Sequence, residues 1–168
     1  MYTFSCLSQE LVQNKNQSKI TFKIKNFGFN VIGVFKDFNI KSQFNSNNLK
    51  ESFFNVEIDV KSIDTNSKSR DNHLLKSDFF DVDKHPKIIF KSSAINKINK
   101  NQFTLIGFLN IKGTKKKFEV PIEIKTTVKQ VVFKVNFNLN RKDFNVGGSS
   151  FVLSKKVEIL LIFVADKS

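Results

Sequence analysis

The chain has 168 residues, 40% of them apolar and 20 of them Phe, with a formal net charge of +13. That length fits one domain with room for a core or for a core around a cavity. The single cysteine, Cys6, excludes an intrachain disulfide and a multi-cysteine metal centre, and no apolar run reaches the ~18 residues of a spanning helix.

The N-terminus, MYTFSCLSQE, has neither the basic start nor the full apolar stretch of a complete export signal. Small residues at Cys6 and Ser8 nevertheless suit a cut before Gln9. Residues 1–8 read either as the end of an export signal, which would make the protein periplasmic or secreted, or as an ordinary tail of a cytoplasmic one. Residues 1–17 are taken as a tail and 18–168 as one domain.

From there the dominant period is two. Ile20, Phe22 and Ile24 alternate with lysines and Thr21. Val56, Ile58 and Val60 alternate with Asn55, Glu57 and Asp59. The same pattern holds for Phe118, Val120, Ile122 and Ile124, and again for Val131, Phe133, Val135, Phe137 and Leu139. Each is a strand with one wet face. Residues 86–95, 102–113 and 155–164 are weaker cases, the last apolar on both faces and so expected to be covered on both. Turn signals separate the runs at 26–30, 45–48, 96–102, 112–116 and 145–150. Pro121 falls on an outer face, which implies an edge or a bulge. About eight antiparallel strands result, with Phe on the inner face. They suggest a closed barrel, either filled by side chains or holding one small ligand. The lysines then belong to the solvent faces. With no nucleic-acid motif and no Arg-rich stretch, the charge does not imply a nucleic-acid partner.

Two segments break the alternation. In 62–77, Ser, Asp and Asn cluster, and Asp64 or Thr65 could cap a short helix. The second spans 141–150. Each holds one of the two arginines of a chain with 28 basic residues, Arg70 beside Asp71 and Arg141 near Asp143. Arg supplies a rigid planar fork that Lys cannot copy. Each Arg is expected either to form a bidentate carboxylate pair pinning its segment to the barrel or to meet a ligand's polar head.

The stretch SRDNHLLKSDFF (69–80) also invites a catalytic or metal reading. His73 with Asp71 or Asp78 could form an acid–base pair, but no nucleophile motif accompanies it. His73, Asp78, Asp81, Asp83 and His85 lack metal-ligand spacing, and Asp81, Asp83 and Lys84 read better as a solvated turn before Pro86. No metal and no catalytic residue is assigned.

SIDTNSKSRDNHLLKSDFFDVDKHPKIIFKS (62–92) resembles the signature of the YceI-like family, lipocalin-like proteins that bind polyisoprenoids. FTLIGFLNIKGTKKKFEVPIEI (103–124), NRKDFNVG (140–147) and ITFKIKNFGFNVIGVF (20–35) resemble its other blocks, so the likeness runs from about 18 to 165. Asn26 stands where many members have His, and Asn39 where Gly is common. The resemblance implies an all-β fold: an extended eight-stranded antiparallel lipocalin-like barrel with a short helix near one opening. Its elongated lumen would hold a polyisoprenoid, an isoprenoid quinone or a similar lipid, as a carrier or store and without enzymatic activity. It also implies a possible homodimer, and the charge a weak contact with anionic membrane.

On that reading Phe22, Ile24, Phe35, Phe54, Leu74, Phe79, Phe90, Phe137 and Phe144 line the lumen, although each alone also reads as core packing. Arg70, His73 and Arg141 serve as head-group contacts or structural clamps. No cofactor beyond the bound lipid is implied. The competing reading is a small-molecule enzyme or stress-response factor built on the polar cluster around His73.

Overall fold

The computed structural model describes residues 10–167. The proposed cleavage site at Cys6–Ser8 lies outside the described residues. Eleven strand segments appear: β1 (Glu10–Gln13), β2 (Lys19–Asn26), β3 (Phe29–Phe35), β4 (Phe38–Gln43), β5 (Phe53–Asp59), β6 (Ile63–Asp64), β7 (Lys87–Lys97), β8 (Gln102–Ile111), β9 (Thr114–Thr126), β10 (Gln130–Asn140) and β11 (Leu153–Asp166). One helix, α1 (Lys68–Leu74), interrupts them between β6 and β7. No helix among the described residues is long and apolar enough to cross a membrane.

These segments fill eight positions of a closed antiparallel ring. β1 and β2 lie end to end along β11, with Val12 opposite Asp166 and Lys19 opposite Ile162. Asn14–Ser18 forms the kink between them. It is held by Ser18, whose hydroxyl accepts from Val164 N at 3.0 Å and donates to Val164 O at 3.3 Å. β3 and β4 form the next position, β3 paired to β2 and β4 to β1. Then follow β5, β7, β8, β9, β10 and β11, each antiparallel to the one before. The expected eight-stranded barrel is therefore present. The expected boundary at residue 18 falls too late, because β1 closes the ring by pairing with both β4 and β11. Its four residues are too few to show a period.

Alternation explains the wall. Inward residues such as Ile20, Ile40, Val56, Leu105 and Ile122 are buried, while Lys19, Lys41, Lys117 and Lys134 face solvent. β11 is covered along both edges, by β10 and by β2 with β1, but its outward Leu160 and Ile162 are half-buried, not buried. Coverage of both its faces was expected and is found only toward its C-terminal end, where the outward Val164 is buried. The apolar outer residues sit beside Lys19 and Lys134, whose aliphatic stems can shield them. Pro121 lies where β9 parts from β10, whose pairing stops at Ile122, so its missing N–H costs no ladder bond there.

One end of the barrel is plugged by aromatic rings. Phe133 meets Phe54 at 5.0 Å, Phe163 at 5.2 Å and Phe44 at 5.6 Å between centroids, and Phe44 meets Phe103 edge-on at 5.3 Å. The other end is covered by the two irregular segments. They meet across the opening: Lys112 Nζ donates to Ser77 O at 2.8 Å and Asn145 O at 2.9 Å, and Gly147 N donates to Asp78 O at 2.9 Å.

Candidate functional site

A hollow lumen begins under that cover. An upper chamber of about 340 Å³ is bounded by β2, β3, α1, the 79–80 turn, the Arg141–Phe144 turn and β11. A lower chamber of about 130 Å³ continues toward the plugged end. Phe35, Ile88, Ile111, Leu139 and Ile159 line both and form the waist between them. Phe22, Ile24, Phe35, Leu74, Phe79 and Phe144 line the upper chamber, and Phe35, Phe54, Phe90 and Phe137 the lower. Arg70, His73 and Arg141 line only the upper one. Every side chain of the lower chamber is aliphatic or Phe.

The hollow exists because two rings lie flat on the wall. Phe22 faces Gly33 directly across the β2–β3 ladder, and its ring occupies the space a Cβ at Gly33 would need. Phe90 does the same over Gly107. A side chain at Gly33 would push Phe22 into the lumen, and one at Gly107 would meet the Lys91 carbonyl oxygen at 2.5 Å as well as the Phe90 ring. Sequence reasoning placed both Phe residues on the wall but passed over the glycines beneath them. A glycine on the inner face of a strand, opposite an aromatic, was the available signal.

α1 begins at Ser67, whose side chain accepts from Arg70 N, and not at Asp64 or Thr65 as the sequence suggested. Thr65 is instead the hub of this lip, and it is buried. Its N and Oγ1 donate to Asp71 Oδ1 at 2.9 and 2.6 Å, and its Oγ1 and O accept from Arg70 Nε and Nη2 at 2.8 and 2.7 Å. Arg70 and Asp71 thus clamp one threonine from two sides and do not form a bidentate pair.

Arg141 departs further from expectation. It is 4% exposed and meets no carboxylate among the described residues; Asp143 pairs with Lys116 at 3.9 Å instead. Five backbone carbonyls hold the guanidinium: Nε donates to Ser154, Nη1 to Val146, Gly147 and Gly148, and Nη2 to Leu153, all within 2.8–3.2 Å. The Arg therefore folds the 141–154 segment around itself. Burial pushes its pKa down from the ordinary value, yet guanidinium remains the cation this cage was shaped for. Gly147 is required, since a Cβ there would lie 2.8 Å from Arg141 Nη1 and from the Phe79 ring.

His73 faces outward more than inward. Its Nε2 lies 2.8 Å from Asp78 Oδ2, and its ring meets Phe79 edge-on at 5.0 Å. That hydrogen bond holds the Asp78 carboxyl below its ordinary value. Both side chains are about half exposed, and among the described residues no hydroxyl or thiol nucleophile joins them in a hydrogen bond. No group of three or more His, Cys, Asp or Glu side chains among the described residues is placed to share a metal ion.

The comparisons agree with this architecture. A UPF0312 protein of Yersinia enterocolitica is 33% identical over 151 residues, covering 84% of this chain and 77% of the relative. The crystal structure of BcnA from Burkholderia cenocepacia superposes with a TM-score of 0.87 at 26% identity, over 91% of this chain and 99% of that one. The YceI protein of Campylobacter jejuni matches with a TM-score of 0.77 at 28% identity, over 83% and 86%. A polyisoprenoid-binding domain from Saccharophagus degradans shares the fold, with a TM-score of 0.73, at 9% identity over 96% and 99%. The model of the YceI-like domain matches residues 12–165, and the chain belongs to that family.

Proposed function

We propose that the protein binds a long apolar amphiphile, such as a polyisoprenoid or isoprenoid quinone, in its lumen and serves as its carrier or store. The observation that carries this is the pair of adjoining chambers that share five wall residues, the lower one lined among the described residues by no polar side chain. The tail would run down through the waist, and the polar end would stay near Arg70, His73 and Arg141. Arg141 brings a positive charge that no carboxylate among the described residues pairs with, so an oxygen-rich or anionic head is the better match. The Saccharophagus domain, which shares the fold, is a polyisoprenoid-binding protein.

Burial supplies the affinity. A tail that buries about 300 Å² gains roughly 7 kcal/mol at about 25 cal/mol per Å², before the cost of immobilising it. Tail length should therefore matter more than head chemistry. A catalytic role has less support, because His73 and Asp78 bond to each other at the surface. The same lipid cargo would bring the protein, with its +13 charge, to anionic membranes. Organic extraction and native mass spectrometry of purified protein test the proposal. A copurified long-chain lipid at up to one per chain is expected. Empty protein that also fails to bind added farnesol or longer isoprenols would overturn it.

A further inference from the structure

The β2–β3 turn is built against local preference. Phe27 and Gly28 take φ of 50° and 81°, the two left-handed positions of a type I′ hairpin. Asn or Gly suits the first of these, and a bulky ring is strained there. The strain brings no packing, since Phe27 is 69% exposed and Phe29 beside it 78%. The β8–β9 turn has the same geometry with Lys112 and Gly113, and there Lys112 is used to tie the cover down. Phe27 has no such structural use.

A second bare aromatic stands next to it. Phe151 is fully exposed, Val152 is exposed as well, and Phe27 N donates to Val152 O at 3.0 Å. The two tips are thus held together as one apolar spike. The spike borders the upper chamber, which Asn26, Val31 and Val152 line from this side. Residues 19–36 and 144–158, which form these tips and the strand ends beside them, contain six lysines and one acidic residue, Glu158. Lys23 and Lys36 are paired to Glu158 and Asp64, whereas Lys25, Lys155 and Lys156 are exposed and form no ion pair among the described residues.

We propose that this spike is a membrane-docking device: Phe27, Phe29 and Phe151 enter the interface of an anionic bilayer while Lys25, Lys155 and Lys156 meet its head groups. Apolar tips inside a basic collar fit a charged lipid surface. A second copy of the chain fits poorly, because a two-fold contact would set the same lysines face to face. Docking brings the chamber's lip against the bilayer, so that an amphiphile can pass between membrane and lumen. That passage rests on the lumen being a lipid site, and docking itself does not.

The test is cosedimentation with phosphatidylcholine vesicles, with and without phosphatidylglycerol, at low and high salt. Wild type should bind the anionic vesicles and leave them as salt rises. Phe27→Asn with Phe151→Ser should lower partitioning about tenfold or more, without loss of thermal stability, because Asn suits the turn better than Phe. Exchanging Lys25, Lys155 and Lys156 for Glu should remove the anionic preference. The chain has no Trp, so Phe151→Trp adds a single reporter whose emission should shift to the blue on docking. Wild type that ignores anionic vesicles at low salt, equal binding by the Phe27/Phe151 variant, or a dimer in solution that this variant dissolves would each overturn the proposal. Farnesol binding without vesicles is measured in parallel. Its loss in wild type strikes the carrier reading alone, and its retention in a variant that no longer docks isolates the docking.

Discussion

The two ends of this barrel use the same residue for opposite purposes. At the plugged end Phe44, Phe54, Phe103, Phe133 and Phe163 interlock, mostly edge to face, and close off the lower chamber. At the open end Phe22 lies over Gly33, Phe79 and Phe80 roof the chamber, and Phe27, Phe29 and Phe151 stand in solvent. Stability at the first end is hydrophobic packing. At the second it comes from polar clamps, Thr65 between Arg70 and Asp71 and the carbonyl cage of Arg141. A cavity cannot be held open by apolar contacts across it, so its rim must be held by directional bonds.

The largest effect should come from the plug. Phe133→Ala should cost about 3–5 kcal/mol in urea unfolding, since Phe133 is 1% exposed and touches three other rings. Phe151→Ala, at the other end, should stay within ~0.5 kcal/mol. Similar costs at the two positions would break the contrast.

The rim should respond to loss of its cage. Arg141→Met leaves five carbonyls short of a donor and should cost about 3 kcal/mol. Arg141→Lys should recover little, because one ammonium cannot span acceptors that a planar fork reaches on both sides. Full recovery with Lys would mean that charge alone, and not geometry, holds this segment.

Between the ends, the glycines should control capacity. Gly33→Val should drive the Phe22 ring into the upper chamber and cost about 1–3 kcal/mol from overpacking. Bound lipid per chain should fall well beyond what the loss of stability explains, as read by native mass spectrometry on folded protein. Gly107→Val should act on the lower chamber through Phe90 and cost more stability than Gly33→Val, because its Cβ would also lie 2.5 Å from the Lys91 backbone oxygen. Unchanged lipid loading in both variants would detach the wall from the cargo.

The wall and the rim were not equally legible in the sequence. β2, β5, β9 and β10 each keep one wet and one dry face over many residues, so period two survives in the letters. β1 is too short to show it, and the β3–β4 run is broken at Lys36–Asp37 where the wall bends. The rim was visible only as irregularity and as two rare arginines. Their partners were not readable, because Arg141 binds the carbonyls of Val146, Gly147, Gly148, Leu153 and Ser154, and every residue type carries a carbonyl. The neighbouring aspartates pointed to pairs that the fold does not make.

The smallest expected effects come from two buried serines in the wall below the waist, and they should differ in sign. Ser18 occupies the kink between β1 and β2, where its hydroxyl serves both N and O of Val164. Ser18→Ala strands Val164 N away from water, while Val164 O keeps its bond from Asn14 N at 2.8 Å, and should cost about 1 kcal/mol. Ser42 faces inward from β4, is 1% exposed, and its hydroxyl finds no partner among the described residues. It lies in register with Phe54 on one side and Leu11 on the other, so its surroundings are apolar. Ser42→Ala removes an unpaired polar atom and should stabilise by up to about 1 kcal/mol, less whatever the small void takes back. Because both side chains are the same, composition and propensity cancel in the comparison. A shared sign in urea unfolding would mean that the plugged end is not the dry packing that the Phe rings describe. Opposite signs would show that a hydroxyl is tolerated there only where the chain kinks and backbone groups need it.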